Sequence, residues 1–472
     1  MKSLTKNINP LQTSSYESLD TTQLSLFDTQ PYGTEATRHN TEHTPPPQLT
    51  MQERRSGSFV DNMKLPVHRW FRYSAGFSAE WVQSMLKEHQ SGQEDGLTVL
   101  DPFAGSGTTL LACNAENVRS YGFEAHPFVY RIALAKLDSI RLDPIELKNY
   151  LRQFGEQAKQ HSVAPIDDVP ALLTKCFSEE TLQKLFVFKD LYCSTYATSE
   201  PESEVLWLIL TAILRGCSFA GTAQWQYVLP NKRKSKVLDP FDAYHIKVDQ
   251  VLSDIIHAQS AQWKPQASIL QTDARHPSLL DGTLQSSVDL VITSPPYPNN
   301  YDYADATRLE MTFWGEVSGW KDLQSKVRTH LIRSCSQHAS AEKLQLDDLL
   351  QDEILLPIHD ELSTACHQLA EVRLTKGGRK TYHTMAAAYF RDLGYVFQSL
   401  RPLCKEGAKV CFVIGDSAPY GIYLHVDEWL GKLAVAAGFH SFSFEKTRDR
   451  NTKWKNRKHR VPLKEGRLWI QG

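Results

Sequence analysis

Three kinds of pattern follow one another along the chain. Residues 1 to about 60 carry Ser, Thr, Gln, Asn and Pro with few aromatics and no sustained period, which reads as a disordered or loosely attached arm. From about 64 to 137, short apolar runs alternate with helical ones. Residues 97–100 read as a buried strand, 108–115 as a helix, 120–124 as a second strand and 128–137 as a helix. Residues 140–263 repeat apolar positions at three-and-four spacing, as in 182–191 and 205–214, and are expected to be mostly helical. Strand patterns return at 267–271 and 288–293. A second helical stretch is expected over 305–375. A last α/β segment begins near 385, with strands at 408–414, 441–446 and 467–470 and a helix at 426–437.

Strands alternating with helices predict a doubly wound α/β fold, a mainly parallel sheet covered on both faces. Such sheets bind ligands at the carboxyl ends of their strands, where loops carry the chemistry. Composition adds little: 41% of the 472 residues are hydrophobic and 22% charged. The formal net charge of -2 does not announce a nucleic-acid partner, so any basic surface must come from local clusters. The eight cysteines form no CxxC pair and no zinc spacing, so no metal site is expected. They read as small buried hydrophobes of a reducing compartment, Cys411 among them in its apolar run. The polar N-terminus is unlike a signal peptide, and the apolar run 205–214 is too short to span a bilayer. A cytoplasmic protein is expected.

The informative loops follow expected strands. The first is Asp101-Pro102-Phe103-Ala104-Gly105-Ser106-Gly107-Thr108-Thr109. Its glycines allow a tight turn and close approach of backbone to a ligand, and Thr108 and Thr109 can cap the next helix. No Lys follows the glycines, so this is no triphosphate loop. Glu124 ends the second strand, where a carboxylate can take hydrogen bonds from two ribose hydroxyls. Asp273 ends the third and could hold an adenine amine. Three successive strand ends carrying carboxylates suit one nucleoside-shaped ligand.

The fourth strand runs into Thr293-Ser294-Pro295-Pro296-Tyr297. Two consecutive prolines fix the backbone and remove two donors. What remains is a rigid loop of carbonyl acceptors between a hydroxyl and an aromatic ring. A carbonyl of Ser294 or Pro295, with the Ser294 hydroxyl, can accept hydrogen bonds from a planar amine, and Tyr297 can stack on its ring.

Together these two loops resemble the first and the catalytic motifs of the amino-methyltransferases of DNA, in their Ser-Pro-Pro-Tyr form. The segment from Val67 to Phe77 is similar to the one that precedes the first motif and packs over the methionine end of the cofactor. Residues 407–417 resemble the fifth-strand segment. The likeness covers about 64–137, 266–303 and 385–472. It implies a class I methyltransferase sheet of seven strands with a C-terminal antiparallel hairpin and helical insertions. It implies S-adenosylmethionine as cofactor, bound by Phe77, Asp101, Phe103, Gly105, Ser106, Gly107, Thr108, Glu124 and Asp273. Catalysis falls to Ser294, Pro295, Pro296 and Tyr297. Ser at the head of that loop is typical of cytosine-N4 enzymes, and Asp or Asn of adenine-N6 enzymes, so Ser294 points to cytosine N4. RNA and protein-glutamine methyltransferases share the loop with Asn at its head.

The expected organisation is an arm over 1–60, a cofactor-binding part over 61–139, a helical insertion over 140–265, a catalytic part over 266–304, a second insertion over 305–380 and a C-terminal part over 381–472. The insertion over 140–265 is a candidate DNA-recognition region. Candidate phosphate contacts are Arg448, Arg450, Lys453, Lys455, Arg457 and Lys458, with Lys232, Arg233 and Lys234 as a second cluster. Arg308 and Tyr301 to Tyr303 follow the catalytic loop and could line a base pocket. Gln23, Leu24, Leu26 and Phe27 resemble a peptide that binds the bacterial sliding clamp, set in an arm that orders on binding. The expected partners are double-stranded DNA, that clamp and, in a restriction or defence system, a cognate endonuclease.

Overall fold

The computed structural model describes residues 59–472 apart from 74–75, 91–95, 164–167, 224–225, 278–283, 300, 378–379 and 451–460. Its strands are β1 (Thr98–Asp101), β2 (Arg119–Phe123), β3 (Ala220–Thr222), β4 (Val228–Arg233), β5 (Ala267–Leu270), β6 (Val288–Thr293), β7 (Cys404–Gly415), β8 (Ser441–Arg450) and β9 (Leu463–Gln471). Seven of them form one sheet in the order β5-β2-β1-β6-β7-β9-β8. The neighbours from β5 to β7 are parallel, and β9 runs antiparallel between β7 and β8. This is the mainly parallel seven-stranded sheet with an antiparallel C-terminal hairpin that the sequence predicts.

The strand sequences explain the order. Val-Asp-Leu-Val-Ile-Thr of β6 is apolar nearly throughout because helices cover both faces of a central strand. The sheet edge at β8 is mostly exposed and carries Lys446, Arg448 and Arg450, charges that discourage pairing with another chain. Asn114, buried on the helix Thr108–Ala115, accepts from the amides of Gln266 and Ala267 through its side-chain oxygen, both at 3.0 Å. A side chain beside β1 thus fixes where β5 begins.

Between β2 and β5 stand the helices Pro144–Gln160, Glu179–Leu191, Pro201–Cys217 and Pro240–Ser260. Their starts are legible: Asp143, Ser178 and Asp239 each accept an amide of the first turn, and two of the three precede a proline at the first helical position. Phe154, Phe188 and Tyr244 pack at their centre. The stretch is not wholly helical, since β3 and β4 form an antiparallel hairpin. Three-residue β3 with Gly221 at its middle carries too little pattern to announce a strand.

After β6 come the helices Arg308–Trp314, Trp320–Lys326, Ser336–Ala341, Leu346–Leu350 and His359–Thr375. The helix Tyr382–Leu400 then packs on the sheet, with Phe397 stacked 5.0 Å from Phe412 of β7. The cysteines are unpaired, and all but Cys193 are buried. Among the described residues no helix is long and apolar enough to cross a membrane.

Candidate active site at the strand ends

The carboxyl ends of β1, β2, β5 and β6 open on one cleft of about 760 Å³, including its space open to solvent. Phe77, Asp101, Phe103, Gly105, Thr108, Glu124, Asp273, Ser294 and Pro296 all line it. Ser106 lies behind, on a smaller adjoining cavity shared with Tyr73 and Thr108. Gly107 bounds neither cavity. With φ of 89° it turns the chain into the helix, and a Cβ there would sit 3.5 Å from the Cβ of Ala133.

Asp101 is 2% exposed, and its carboxylate faces inward. It accepts from the Thr109 hydroxyl at 2.6 Å, the Thr293 hydroxyl at 2.6 Å and the Phe103 amide at 3.0 Å. Burial pushes its pKa up to about 6, against the pull of these three donors. The capping expected of Thr108 and Thr109 does not occur. The helix starts from Gly107 without a side-chain cap, and the Thr109 hydroxyl goes to Asp101 instead. A short bond to a buried carboxylate outweighs a cap.

Glu124 accepts from the Gly105 amide at 2.8 Å and the His126 amide at 2.7 Å. Burial raises its pKa to about 7, the two amides pulling the other way. The turn is therefore closed by the same carboxylate that faces the cleft. Asp273 is held by Arg275, whose Nε lies 3.0 Å from Oδ1 and whose guanidinium also pairs with buried Asp392 at 3.2 Å. Arg275 has no motif around it and was not anticipated.

In the loop after β6, Pro295 is buried, and the Ser294 hydroxyl donates to the Val413 carbonyl at 3.3 Å. Tyr297 does not line the cleft, and the Arg450 guanidinium lies 5.0 Å from its ring centre. Burial raises the Tyr297 pKa, Glu465 adds to the rise, and Arg450 and Ser294 oppose it. Tyr303 lines the cleft, with Tyr301 packed against it at 4.2 Å. Arg308 instead pairs with Asp305 and lies over Trp320 at 4.5 Å. Sequence reasoning missed Tyr73, which presses on Gly105, and His330, Leu331 and Ile332, which come from the second insertion. Tyr73 lies within the Val67–Phe77 segment. The other three carry no local signal.

Of the candidate DNA contacts, Arg448 pairs with Glu465 at 2.6 Å, and Arg450 donates to the Asp416 carbonyl at 2.7 Å. Lys453, Lys455, Arg457 and Lys458 lie outside the described residues, as do Gln23, Leu24, Leu26 and Phe27. Lys232 and Arg233 are exposed at the end of β4. Lys234 is turned in, its ammonium donating to the Arg215 carbonyl.

Residues 18–135 match the family model of the N6 and N4 methyltransferases, described as DNA methylase. The chain is 27% identical over 427 residues to the Type II methyltransferase M.BsoBI of Geobacillus stearothermophilus, covering 81% of this chain and 80% of the relative. It is 25% identical over 405 residues to the Type II methyltransferase M.AvaI of Anabaena variabilis, covering 81% of each. A shorter likeness, 34% over 102 residues, joins it to the Type II methyltransferase M.MjaII of Methanocaldococcus jannaschii. No solved structure matches the chain.

Proposed function

We propose that this chain, which belongs to the N6 and N4 amino-methyltransferase family of DNA methylases, methylates the N4 amine of cytosine in DNA. The cofactor implied by the family is S-adenosylmethionine, which supplies an electrophilic methyl group on sulfur. The residues fit such a ligand: one cleft with a carboxylate at each of three strand ends and aromatic Phe77 and Phe103 at its walls. Glu124 would accept from the ribose hydroxyls, and Asp273, aligned by Arg275, would accept the adenine amine.

The observation that carries the reading is the Thr293–Asp101–Thr109 bridge. It ties the end of β6, where the Ser-Pro-Pro-Tyr loop begins, to the cofactor turn through two 2.6 Å bonds. The loop that would hold an amine and the turn that would hold the cofactor therefore form one unit. Carbonyls of Ser294 and Pro295 would accept the amine protons and keep the nitrogen lone pair out of conjugation with the ring. The transfer is a displacement, so positioning supplies most of its acceleration. As the bond from N4 to the methyl carbon forms, the sulfur–methyl bond would break with its electron pair left on sulfur, and the amine would give up one proton to solvent. A paired base is out of reach, so the cytosine must leave the stack, and Tyr297 would pack on it only by exchanging its Arg450 contact for the base.

Ser294 at the head of the loop supports cytosine over adenine. The names of the relatives support a Type II setting, in which methylation protects DNA from a paired endonuclease. Phosphate contact would come from Arg448, Arg450 and the basic residues after them, with Lys232 and Arg233 as a second patch. Gln23 to Phe27 would dock on a sliding clamp, and a Leu26→Ala, Phe27→Ala pair that retains clamp in a pull-down would remove that partner.

The decisive experiment incubates the protein with tritiated cofactor and unmethylated bacterial DNA, then identifies the labelled nucleoside. N4-methylcytosine is expected. Label in N6-methyladenine would replace the base. Label in RNA or protein alone would overturn the substrate class.

A further inference from the structure

The inserted helix Pro240–Ser260 reaches back to the chain just ahead of the cofactor turn, and it does so through one carboxylate. Asp254 is 1% exposed. Its Oδ2 accepts from the Val67 amide at 3.0 Å, the Arg69 Nε at 3.0 Å and the Trp70 indole at 2.8 Å, and its Oδ1 accepts from the Arg69 Nη2. A buried charge is tolerable only when so fully paired. Val67 has φ of 64°, a conformation that a β-branched side chain adopts only when its surroundings impose it. About two turns earlier on the same helical face, Lys247 donates to the Trp70 carbonyl at 3.2 Å.

The other side of the same segment meets the cofactor turn. Buried Lys136 donates to the His68 carbonyl at 3.3 Å and the Ser106 carbonyl at 3.4 Å, joining segment and turn. Three residues past Trp70, the Tyr73 ring packs against Gly105, within 3.6 Å of where a Cβ would stand, and lines the cleft. The Val67–Tyr73 segment is thus held on one side by the insertion and forms, on the other, part of the cleft wall.

We propose that Asp254 is a positioning residue for the cofactor cleft: by fixing Val67, Arg69 and Trp70 it sets where Tyr73 stands, and so the affinity for S-adenosylmethionine. The proposal rests on the cofactor reading above. The helix that carries Asp254 belongs to the insertion, so that insertion serves the cofactor site whether or not it also reads DNA. A carboxylate that merely stitched the helix to the core would change melting temperature and leave cofactor affinity alone.

The test measures binding of S-adenosylmethionine by calorimetry and hydrogen exchange of residues 67–73 in full-length wild type, Asp254→Asn, Asp254→Ala and Arg69→Met. Asp254→Asn keeps an oxygen for Val67 and Trp70, so its dissociation constant should stay within a few-fold of wild type. Asp254→Ala should raise it about tenfold and speed exchange over 67–73, with KM for cofactor rising more than kcat falls. Arg69→Met, at a partly exposed site, should raise it less and serves if Asp254→Ala does not fold. Unchanged affinity in both Asp254→Ala and Arg69→Met, or in the latter alone should the former not fold, sinks the proposal and leaves the cofactor reading intact. Wild type that binds no S-adenosylmethionine sinks both.

Discussion

The turn after β1 and the loop after β6 face the same cleft, yet they are built from opposite materials. The first is glycine-built. Gly105 and Gly107 take φ of 54° and 89°, and the turn keeps its amides, one of which is donated to Glu124. The second is proline-built, and Pro295 and Pro296 have no amide to give. A turn rich in donors and carboxylates suits a nucleoside with hydroxyls and an amine. A loop stripped of donors suits an amine that must be held by carbonyls alone. Asp101 accepts from Thr109 on one side and Thr293 on the other, so neither piece can shift without the other.

Substitutions at four positions would break or sharpen this contrast. The largest effect is expected from Tyr297→Ala, which should lower kcat by about a hundredfold or more while cofactor binding stays at wild type. Turnover assays beside calorimetry check this, and equal losses in both would erase the division of labour. Glu124→Ala should do the reverse, weakening cofactor binding by about 1.5–3 kcal/mol before it affects kcat.

Glu124 also predicts a pH dependence. Its pKa of about 7 lies above the ordinary 4.5, so the folded protein holds this proton more tightly than the unfolded chain. Its contribution to stability is therefore present below about pH 4.5 and is lost as pH rises through about 7. Cofactor affinity should run the other way, rising as the carboxylate ionises to accept the hydroxyls. Melting and binding from pH 5.5 to 8 should show the opposed trends in wild type, and Glu124→Gln should lose the binding trend and keep only the part of the melting trend that Asp101 contributes below about pH 6.

Thr293→Val keeps the shape of the side chain and removes one donor to buried Asp101. It should cost about 1–3 kcal/mol of stability and disturb cofactor binding and turnover together. A change confined to one of them would show that the bridge does not couple the two loops. The smallest effect is expected from Ser294→Ala, a few-fold loss of turnover, because the carbonyls remain. A loss as deep as that of Tyr297→Ala would move the weight of catalysis onto the hydroxyl.

Much of this site was legible because its signals are local. A strand, a turn and a carboxylate occupy consecutive residues, so Asp101, Glu124, Asp273 and Ser294 could be singled out from the chain alone, and all four line one cleft. The seven strands of the sheet were each placed to within a few residues, since apolar runs and alternation are properties of short windows. β3 and β4 were not, being too short and polar to show a period.

Contacts between distant segments lie beyond such windows. No local pattern says that Asp254 accepts from Val67, that Arg275 bridges Asp273 to Asp392, that Arg450 covers Tyr297, or that His330 to Ile332 reach the cleft. Each joins residues brought together by the order of strands and the docking of insertions. The amino-acid sequence by itself determined which strand ends bring glycines, carboxylates and prolines to one cleft, because those residues are neighbours along the chain. Tertiary structure alone decided what holds those ends in register, because a buried charge or ring finds its partner through packing and not through position along the chain.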